Sequence, residues 1–285
     1  MEIHDHVKFY KLHGSGNDFI IIPMEKNKLN LNTNEMSHWA KKLCTRKFSV
    51  GADGLIFLTK KGLSVDNASY KWHFYNSDGS RAEMCGNGSR CAARLAYELD
   101  YAPEEHIFET DAGPIYAHVY PGQHLVRVQL TKPFDLNMNI SLDIDNKNYT
   151  VHFVNSGVPH TVVFDENVEE LDVKLLGKKI RFHKRFAPKG TNVNFVKVKG
   201  KNSLYLRTYE RGVEDETYAC GTGAAASAYI AYKKGLVKDT EVSVTTSGGE
   251  ELIITIKDNT LYLTGGATLV YQGILNSKEI FSSKF

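Results

Sequence analysis

The chain has 285 residues, of which 42% are hydrophobic and 24% are charged, as expected for a globular protein of two domains. Its 35 basic and 33 acidic residues give a net charge of only +2, which provides no reason to expect a nucleic acid or a membrane surface as partner. The polar N-terminus does not resemble a signal peptide, and no apolar run is long enough to span a membrane. We therefore expect a cytoplasmic protein that acts on a small molecule.

Short runs typical of β-strands, separated by turn residues, make up most of the sequence. In chain order they are Lys8–Leu12, Phe19–Ile22, Leu55–Thr59, Lys71–Tyr75, Ile115–Tyr120, Leu125–Leu130, His152–Val154, Thr161–Phe164, Asn194–Lys197, Ser203–Tyr209, Glu241–Thr245, Glu251–Ile256 and Thr260–Leu263. Strands that are this short and this numerous favour antiparallel sheets over a doubly wound parallel sheet.

The sequence predicts three helices. The first covers Asn34–Cys44, where apolar residues recur at helical spacing and Thr33 is available as the N-cap. The second and third cover Gly88–Leu99 and Gly223–Lys234, and each follows a cysteine and a glycine-rich turn. Gly235 occupies the position just past the end of the third helix, where a left-handed residue commonly ends a helix.

The last two helices belong to an internal repeat. The first copy, Trp72–Glu98, reads WHFYNSDGSRAEMCGNGSRCAARLAYE, and the second, Leu206–Tyr232, reads LRTYERGVEDETYACGTGAAASAYIAY. Each copy is a strand, a polar turn, the motif Cys-Gly-X-Gly and an Ala-rich helix, and Cys85 and Cys220 lie about half the chain apart. The repeat indicates a duplicated pair of domains that face each other across a cleft.

The motif Cys-Gly-X-Gly before a helix has a definite chemistry. The first backbone N–H groups of a helix have no partner within it and carry the positive end of the helix dipole, so they bind anions such as a carboxylate. A cysteine at this position has its thiolate favoured and becomes a usable base or nucleophile. Two such sites would place two thiols and two sets of carboxylate donors around one substrate.

That arrangement suits inversion of an amino-acid α-carbon. One group removes the proton from one face of the carbon while a second group donates a proton to the opposite face, so one cysteine should rest as a thiolate and the other as a thiol. The α-proton is only weakly acidic, and the developing carbanion therefore needs preorganised donors around its carboxylate.

Several long motifs resemble those of the diaminopimelate epimerase family. They are KLHGSGNDF (Lys11–Phe19), GADGL (Gly51–Leu55), YNSDGSRAEMCGNGSRC (Tyr75–Cys91), GVPH (Gly157–His160), TNVNFV (Thr191–Val196) and YERGVEDETYACGTG (Tyr209–Gly223). The resemblance covers nearly the whole chain. It implies an α+β fold of two pseudo-symmetric domains, each an antiparallel sheet curled around a central helix, and a cofactor-independent interconversion of LL- and meso-diaminopimelate in lysine and peptidoglycan precursor synthesis.

The resemblance also implies a role for individual residues. Cys85 and Cys220 match the two acid/base thiols. Ten further positions match groups that bind the substrate: Gly86, Asn87, Gly221 and Thr222 as donors to the reacting carboxylate, Asn17, Asn76 and Asn192 as holders of its amino and carboxylate ends, Glu210 and Arg211 as the pair that reads its polarity, and His160 beside the thiols. Arg211 is suited to a bidentate grip on the distal carboxylate.

Two positions and one interval depart from the family pattern. The interval is that between Glu210 and Cys220, which is one residue longer than in the shorter form of the motif. Gly54 stands where many members have Gln, which removes a possible side-chain contact to the substrate. Val158 stands where the usual motif has Asn, so one polar contact is missing or supplied by another residue. Neither position belongs to the two cysteine motifs, so the expected reaction type is unaffected.

The expected domains are residues 1–130, to which 267–285 return, and residues 131–266. A homodimer is compatible with the sequence. Cys44 and Cys91 are expected to be buried side chains without a chemical role. The sequence contains no Cys-x2-Cys pair, so we expect no zinc site. Three other functions stay open: epimerisation of proline or hydroxyproline, thiol redox sensing by Cys85 and Cys220, and an inactive binding module. Glu210 and Arg211 favour a long dicarboxylic substrate over a compact imino acid. Redox sensing explains neither the Asn, Glu and Arg set nor the glycine turns, and the presence of both thiols gives an inactive module no support.

Overall fold

The computed structural model describes residues 6–282, and the chain divides into two compact units. One unit contains the residues up to Val128 together with the segment that begins at Gly266, and the other unit is Gln129–Gly265. None of the helices in residues 6–282 is long and apolar enough to span a membrane.

The described residues form seventeen strands, and every predicted strand coincides with one of them. In chain order they are β1 (Val7–Gly14), β2 (Asn17–Pro23), β3 (Gly54–Thr59), β4 (Ala68–Asn76), β5 (Glu105–Thr110), β6 (Gly113–Tyr120), β7 (Leu125–Gln129), β8 (Phe134–Ile144), β9 (Lys147–Asn155), β10 (Pro159–Phe164), β11 (Asn192–Gly200), β12 (Ser203–Glu210), β13 (Asp215–Thr217), β14 (Glu241–Thr246), β15 (Glu251–Lys257), β16 (Thr260–Gly266) and β17 (Thr268–Leu275). Four of these, β5, β8, β13 and β17, are absent from the sequence predictions.

Five α-helices accompany the strands between residues 6 and 282. They are α1 (Thr33–Cys44), α2 (Gly86–Glu98), α3 (Val173–Arg181), α4 (Gly221–Lys233) and α5 (Ser277–Ser282). The prediction of Thr33 as the N-cap of α1 is wrong, because Asn32 accepts the backbone N–H groups of Asn34 and Glu35. The Glu35 carboxylate in turn accepts the Asn32 N–H at 2.9 Å, so a reciprocal capping box fixes the start of the helix one residue earlier.

The helices α2 and α4 begin two residues before their predicted starts, directly after the two cysteines. Glycine is a poor helix former, which is why the sequence pattern placed the first glycine of each motif outside the helix. The consequence for the site is that Cys85 and Cys220 are themselves the N-cap residues. At the other end of α4, Gly235 has a φ of 72° and ends the helix in the left-handed conformation, as predicted.

The two units have the same strand order and the same pairing pattern. The order is β17-β1-β2-β3-β4-β5-β6-β7 in the first unit and β8-β9-β10-β11-β12-β14-β15-β16 in the second, with β13 as a short additional partner of β12. In both, the third and fifth pairings along this order are parallel and the others are antiparallel. The repeat seen in the sequence therefore extends over whole domains.

The sheets are mainly antiparallel, as predicted, but four pairs are parallel, namely β2–β3, β4–β5, β10–β11 and β12–β14. Each of these pairs is joined by a connection that contains a helix, respectively α1, α2, α3 and α4. Parallel neighbours require such a crossover, whereas antiparallel neighbours need only a short turn. The helices that carry the cysteines are thus crossover helices.

Each sheet curls around one of these helices. The helix α2 packs against β1, β2, β3, β6 and β17, which come from both halves of the strand order, and α4 packs likewise against β9, β10, β11, β12, β14 and β15. Both helices are rich in buried alanines, whose small side chains let strands approach from several sides. This arrangement confirms the predicted α+β fold with a central helix in each domain.

Candidate active site

The first half of the site is built at the start of α2. Cys85 is the N-cap residue in extended conformation, with φ −148° and ψ 121°, and Gly86, Asn87 and Gly88 form the first turn. The Gly88 N–H donates to Cys85 Sγ at 3.4 Å. A sulfur that receives a backbone N–H at the positive end of a helix has its anionic form stabilised.

Asn17, at the start of β2, contacts the same sulfur. Its Nδ2 donates to Asp53 Oδ2 at 2.8 Å, and since a carboxylate can only accept, the amide nitrogen must face Asp53. The Asn17 Oδ1 is therefore turned the other way, where it lies 3.7 Å from Cys85 Sγ and 3.4 Å from Asn87 Nδ2. A neutral Cys85 thiol can donate its proton to this oxygen.

A cluster of charged side chains supports Asn17. Asp18 accepts hydrogen bonds from Arg46 at 2.5 and 3.1 Å and forms an ion pair with Lys11 at 2.8 Å. Arg46 also bonds Asp53 at 2.9 Å, and the Asp53 N–H donates to Asp18 Oδ1 at 3.0 Å. Burial alone would raise the pKa of Asp18, but the hydrogen bonds from Arg46 and Lys11 outweigh it and hold that pKa far below its ordinary value. The cluster fixes the position of the Asp53 carboxylate beside Asn17.

Asn76 and Gly54 lie opposite each other at the ends of β4 and β3. Asn76 is exposed, and its Nδ2 donates to Ser80 Oγ at 3.0 Å within a tight turn. A Cβ at Gly54 would lie 2.7 Å from the ring of Phe74. The packing of Phe74 therefore leaves no room for a side chain at this position.

The second half of the site is built at the start of α4. Cys220 is the N-cap residue and only 7% exposed, and Gly221, Thr222 and Gly223 form the first turn. The Thr222 hydroxyl lies 3.6 Å from Cys220 Sγ. The Thr222 carbonyl accepts from Ser156 Oγ at 3.0 Å, which anchors this turn to the end of β9.

His160 lies on β10 directly behind this turn and is completely buried. Its Nε2 is 3.0 Å from Thr222 Oγ1 and its Nδ1 is 3.1 Å from Asn194 Nδ2. Burial, and to a smaller extent the positive charge of Arg211, lower the pKa of His160 to about 3. His160 is therefore a neutral imidazole at neutral pH, and it contacts Cys220 through Thr222.

The start of β11 lies beside the end of β12, and this place brings together Asn192, Glu210 and Arg211. Asn192 Oδ1 accepts the Arg211 N–H at 2.7 Å, and an Arg211 guanidinium N–H donates to the Lys189 carbonyl at 3.3 Å. The Glu210 carboxylate accepts from Thr217 Oγ1 at 2.9 Å, and burial raises the pKa of Glu210 despite this bond. Glu210 and Arg211 are both half-buried, so this unit offers a carboxyl group and a guanidinium at neighbouring positions of the chain.

Sequence reasoning missed two residues that hold predicted site residues, Asp53 behind Asn17 and Asn194 behind His160. A signal for Asn194 was present, because residues two apart in a strand point to the same side and Asn192 and Asn194 form such a pair in TNVNFV. Among the described residues, no group of three or more His, Cys, Asp and Glu side chains is placed to hold a metal ion.

The burial of neutral His160 predicts a pH-dependent stability. Because its pKa falls from an ordinary 6.5 to about 3, the folded protein binds fewer protons than the unfolded chain between these values. The contribution of neutral His160 to the free energy of unfolding is complete above pH 6.5. It is lost as the pH falls towards 3, by up to about 1.4 kcal/mol per pH unit. Urea unfolding between about pH 6.5 and pH 5 should show this slope, and His160→Gln should flatten it. Equal slopes in the two proteins would contradict the buried neutral state.

Comparison with known proteins identifies the family to which the chain is similar. The family model described as Diaminopimelate epimerase matches residues 9–134 and 152–270. A diaminopimelate epimerase from Hydrogenobaculum sp. (strain Y04AAS1) is 48% identical over 280 residues, which cover 95% of this chain and 99% of that protein. A diaminopimelate epimerase from Aquifex aeolicus (strain VF5) is 47% identical over 280 residues, with 96% and 99% covered.

Solved structures share the fold at much lower identity. The crystal structure of a phenazine biosynthesis protein of the PhzF family from Bacillus anthracis superposes with a TM-score of 0.71 and covers 95% of this chain and 99% of that chain. The two sequences are only 13% identical, so this likeness shows the two-domain α+β fold alone.

Proposed function

Because this chain belongs to the diaminopimelate epimerase family, we propose that it interconverts LL- and meso-diaminopimelate by inverting one α-carbon, without a cofactor, in lysine and peptidoglycan precursor synthesis. The observation that carries the proposal is the position of Cys85 and Cys220, each the N-cap of the central helix in one of two like-folded units. The match to the relatives covers nearly all of both chains, so both motifs lie inside it.

In the proposed mechanism, one cysteine thiolate removes the α-proton and the thiol of the other cysteine donates a proton to the opposite face. Each cysteine then holds the form that the other held before, which is the form required for the reverse reaction. General acid–base catalysis of this kind contributes about 10²–10⁴ to a rate. One unit supplies Cys85 and the other supplies Cys220.

The first turns of α2 and α4 supply the donors for the reacting carboxylate. The backbone N–H groups of Gly86 and Asn87, and of Gly221 and Thr222, lie among the first N–H groups of a helix, which have no acceptor within that helix. We assign them to the substrate carboxylate, whose charge grows as the carbanion forms. Donors that are fixed before the reaction stabilise this charge without reorganising.

The remaining residues hold the rest of the substrate. We assign Asn17, Asn76 and Asn192 to its amino and carboxylate groups and Arg211 to the distal carboxylate. The backbone N–H of Arg211 donates to Asn192 Oδ1, which keeps these two residues side by side. Glu210, whose pKa is raised by burial, completes the set that reads substrate polarity.

We also propose a cytoplasmic location and a homodimer. The first follows from the chemistry, because two free catalytic thiols need a reducing compartment. The second is supported by β17, where Val270, Tyr271 and Ile274 are 45% to 67% exposed.

The test is conversion of LL-diaminopimelate by the reduced protein, followed by chiral chromatography, with L-proline and trans-4-hydroxy-L-proline as comparison substrates. We expect meso-diaminopimelate as the only product. Arg211→Met should lower kcat/KM by about tenfold to a hundredfold, because it removes a charge-assisted grip on the distal carboxylate. Arg185→Met, at an exposed basic residue, is the matched control. Turnover of proline and none of diaminopimelate would overturn the proposal.

A further inference from the structure

Asn194 is a polar residue that is completely buried and has no role in the mechanism above. It lies on β11 and makes three side-chain hydrogen bonds. Its Nδ2 is 3.1 Å from the Thr161 carbonyl oxygen and 3.1 Å from His160 Nδ1, and its Oδ1 accepts from Thr208 Oγ1 at 3.0 Å. All its partners belong to the same unit as Cys220.

The orientation of the Asn194 amide is set by its surroundings. A backbone carbonyl can only accept, so the group that faces the Thr161 oxygen must be Nδ2. The second N–H of the same nitrogen then points at His160 Nδ1, while Oδ1 faces Thr208. The absence of a side chain at Gly223 makes room for this placement, because a Cβ there would lie 2.3 Å from Asn194 Oδ1.

This orientation determines the tautomer of His160. Because Nδ1 receives an N–H from Asn194, it must carry the lone pair, and the single proton of the neutral ring is on Nε2. Nε2 faces Thr222 Oγ1 at 3.0 Å, so the ring donates to the threonine hydroxyl. The charged group that acts on His160 is Arg211, whose positive charge disfavours a second proton on the ring.

The Thr222 hydroxyl lies between His160 and Cys220 and contacts both. Its oxygen accepts from His160, so its own proton is available to donate to Cys220 Sγ, which lies 3.6 Å from that oxygen. A hydroxyl that donates to sulfur stabilises the thiolate more than the thiol. Cys85 has a different set of contacts, since its sulfur receives the Gly88 N–H and also faces Asn17 Oδ1, which can accept the proton of a neutral thiol.

We propose that Asn194 is a positioning residue that holds Cys220 in the thiolate form, acting through the His160 tautomer and the Thr222 hydroxyl. The proposal rests on the proposed function only in giving Cys220 an acid/base role. The ionisation of Cys220 in the free protein is a separate quantity, which can be measured without substrate.

The tautomer can be read in the unmodified protein. Nitrogen-15 NMR of the histidine rings distinguishes a protonated Nε2 from a protonated Nδ1. We expect His160 to be protonated on Nε2 alone at neutral pH, and a proton on Nδ1 would overturn the proposal.

The coupling is tested by a double-mutant cycle in a Cys85→Ser background. The readout is the pH at which alkylation of Cys220 by iodoacetamide is half-maximal, assigned by mass spectrometry, since only the thiolate reacts. We expect Thr222→Val to raise this pH by about one unit and Asn194→Leu to raise it in the same direction. Thr222→Ser, which keeps the hydroxyl, should leave this pH at the value of the Cys85→Ser parent protein.

The decisive comparison is Asn194→Leu in the Thr222→Val protein, where no further shift is expected because the hydroxyl is already gone. Equal shifts in both backgrounds, or no shift in either, would overturn the proposal. Loss of diaminopimelate activity with an unchanged Cys220 profile would instead count against the positioning role while leaving the epimerase function intact.

Discussion

Replacement of either Cys85 or Cys220 by serine is expected to lower kcat for epimerisation by about 10²–10⁴. A serine hydroxyl is a far weaker acid than a thiol. The serine therefore cannot form the anion that removes the α-proton in one direction, and it is a poor proton donor to the carbanion in the other direction. The two variants should lose similar amounts of activity, because every turnover uses both groups. Circular dichroism and urea unfolding should show that both proteins remain folded.

The matched controls are the other two cysteines. Cys44 and Cys91 are buried and lie inside the helices α1 and α2, and burial raises the pKa of Cys44 to about 12, so Cys44 provides no usable thiolate. Cys44→Ala and Cys91→Ala should keep kcat within a few fold, with a loss of stability of about 1 kcal/mol each. A Cys85→Ser protein that turns over at the rate of these controls would exclude a two-thiol mechanism.

Replacement of Gly223 by alanine is expected to disable the second half of the site. The new Cβ would lie 2.3 Å from Asn194 Oδ1 and 3.3 Å from the Cβ of Cys220, so Asn194 must leave its place. Overpacking of this kind costs about 1–3 kcal/mol of stability. We expect a comparable loss of stability together with at least a tenfold loss of kcat, since Asn194 supports His160 and Thr222.

Gly88 occupies the equivalent place in the first motif and provides the internal control. A Cβ there would meet Ile56 Cδ1 at 3.3 Å and Cys85 Cβ at 3.5 Å, contacts that a flexible side chain can relieve. Gly88→Ala should therefore cost less stability and less activity than Gly223→Ala, as measured by urea unfolding and by initial rates. A larger effect at Gly88 would show that the space around Gly223 is not filled by Asn194 in solution.

The cysteine-bearing helices could be predicted because local sequence determines them. Cys-Gly-X-Gly followed by an Ala-rich run predicts a helix at both places where it occurs in this chain, and its repetition revealed the duplicated domain. The parallel pairs could not be predicted, since pairing depends on which strands a crossover helix brings together. Strand β8 escaped prediction for another reason. Most of its residues are exposed, so burial imposes no apolar alternation on its sequence.

Within the candidate site, too, residues in a distinctive local sequence could be predicted, and residues defined by tertiary contacts could not. Cys85 and Cys220 stand out in the sequence because glycines surround them. Asn194 is the middle of a chain of contacts from Thr161 to Thr222, and its role depends on neighbours that are distant in sequence. Asp53 holds Asn17 across 36 positions of the chain in the same way. Residues that act through tertiary hydrogen bonds leave little trace in local patterns.

The most direct test of the two-thiol account is the early time course of LL-diaminopimelate conversion in D2O, with deuterium at the α-carbon located by NMR. The account predicts that meso product carries solvent deuterium at the inverted carbon from the first turnovers, because the donating thiol has exchanged with solvent. It also predicts that recovered LL substrate stays unlabelled, because a thiolate that returns its proton returns the original one. Deuterium entering the recovered substrate as fast as the product would contradict it and indicate a single exchanging base.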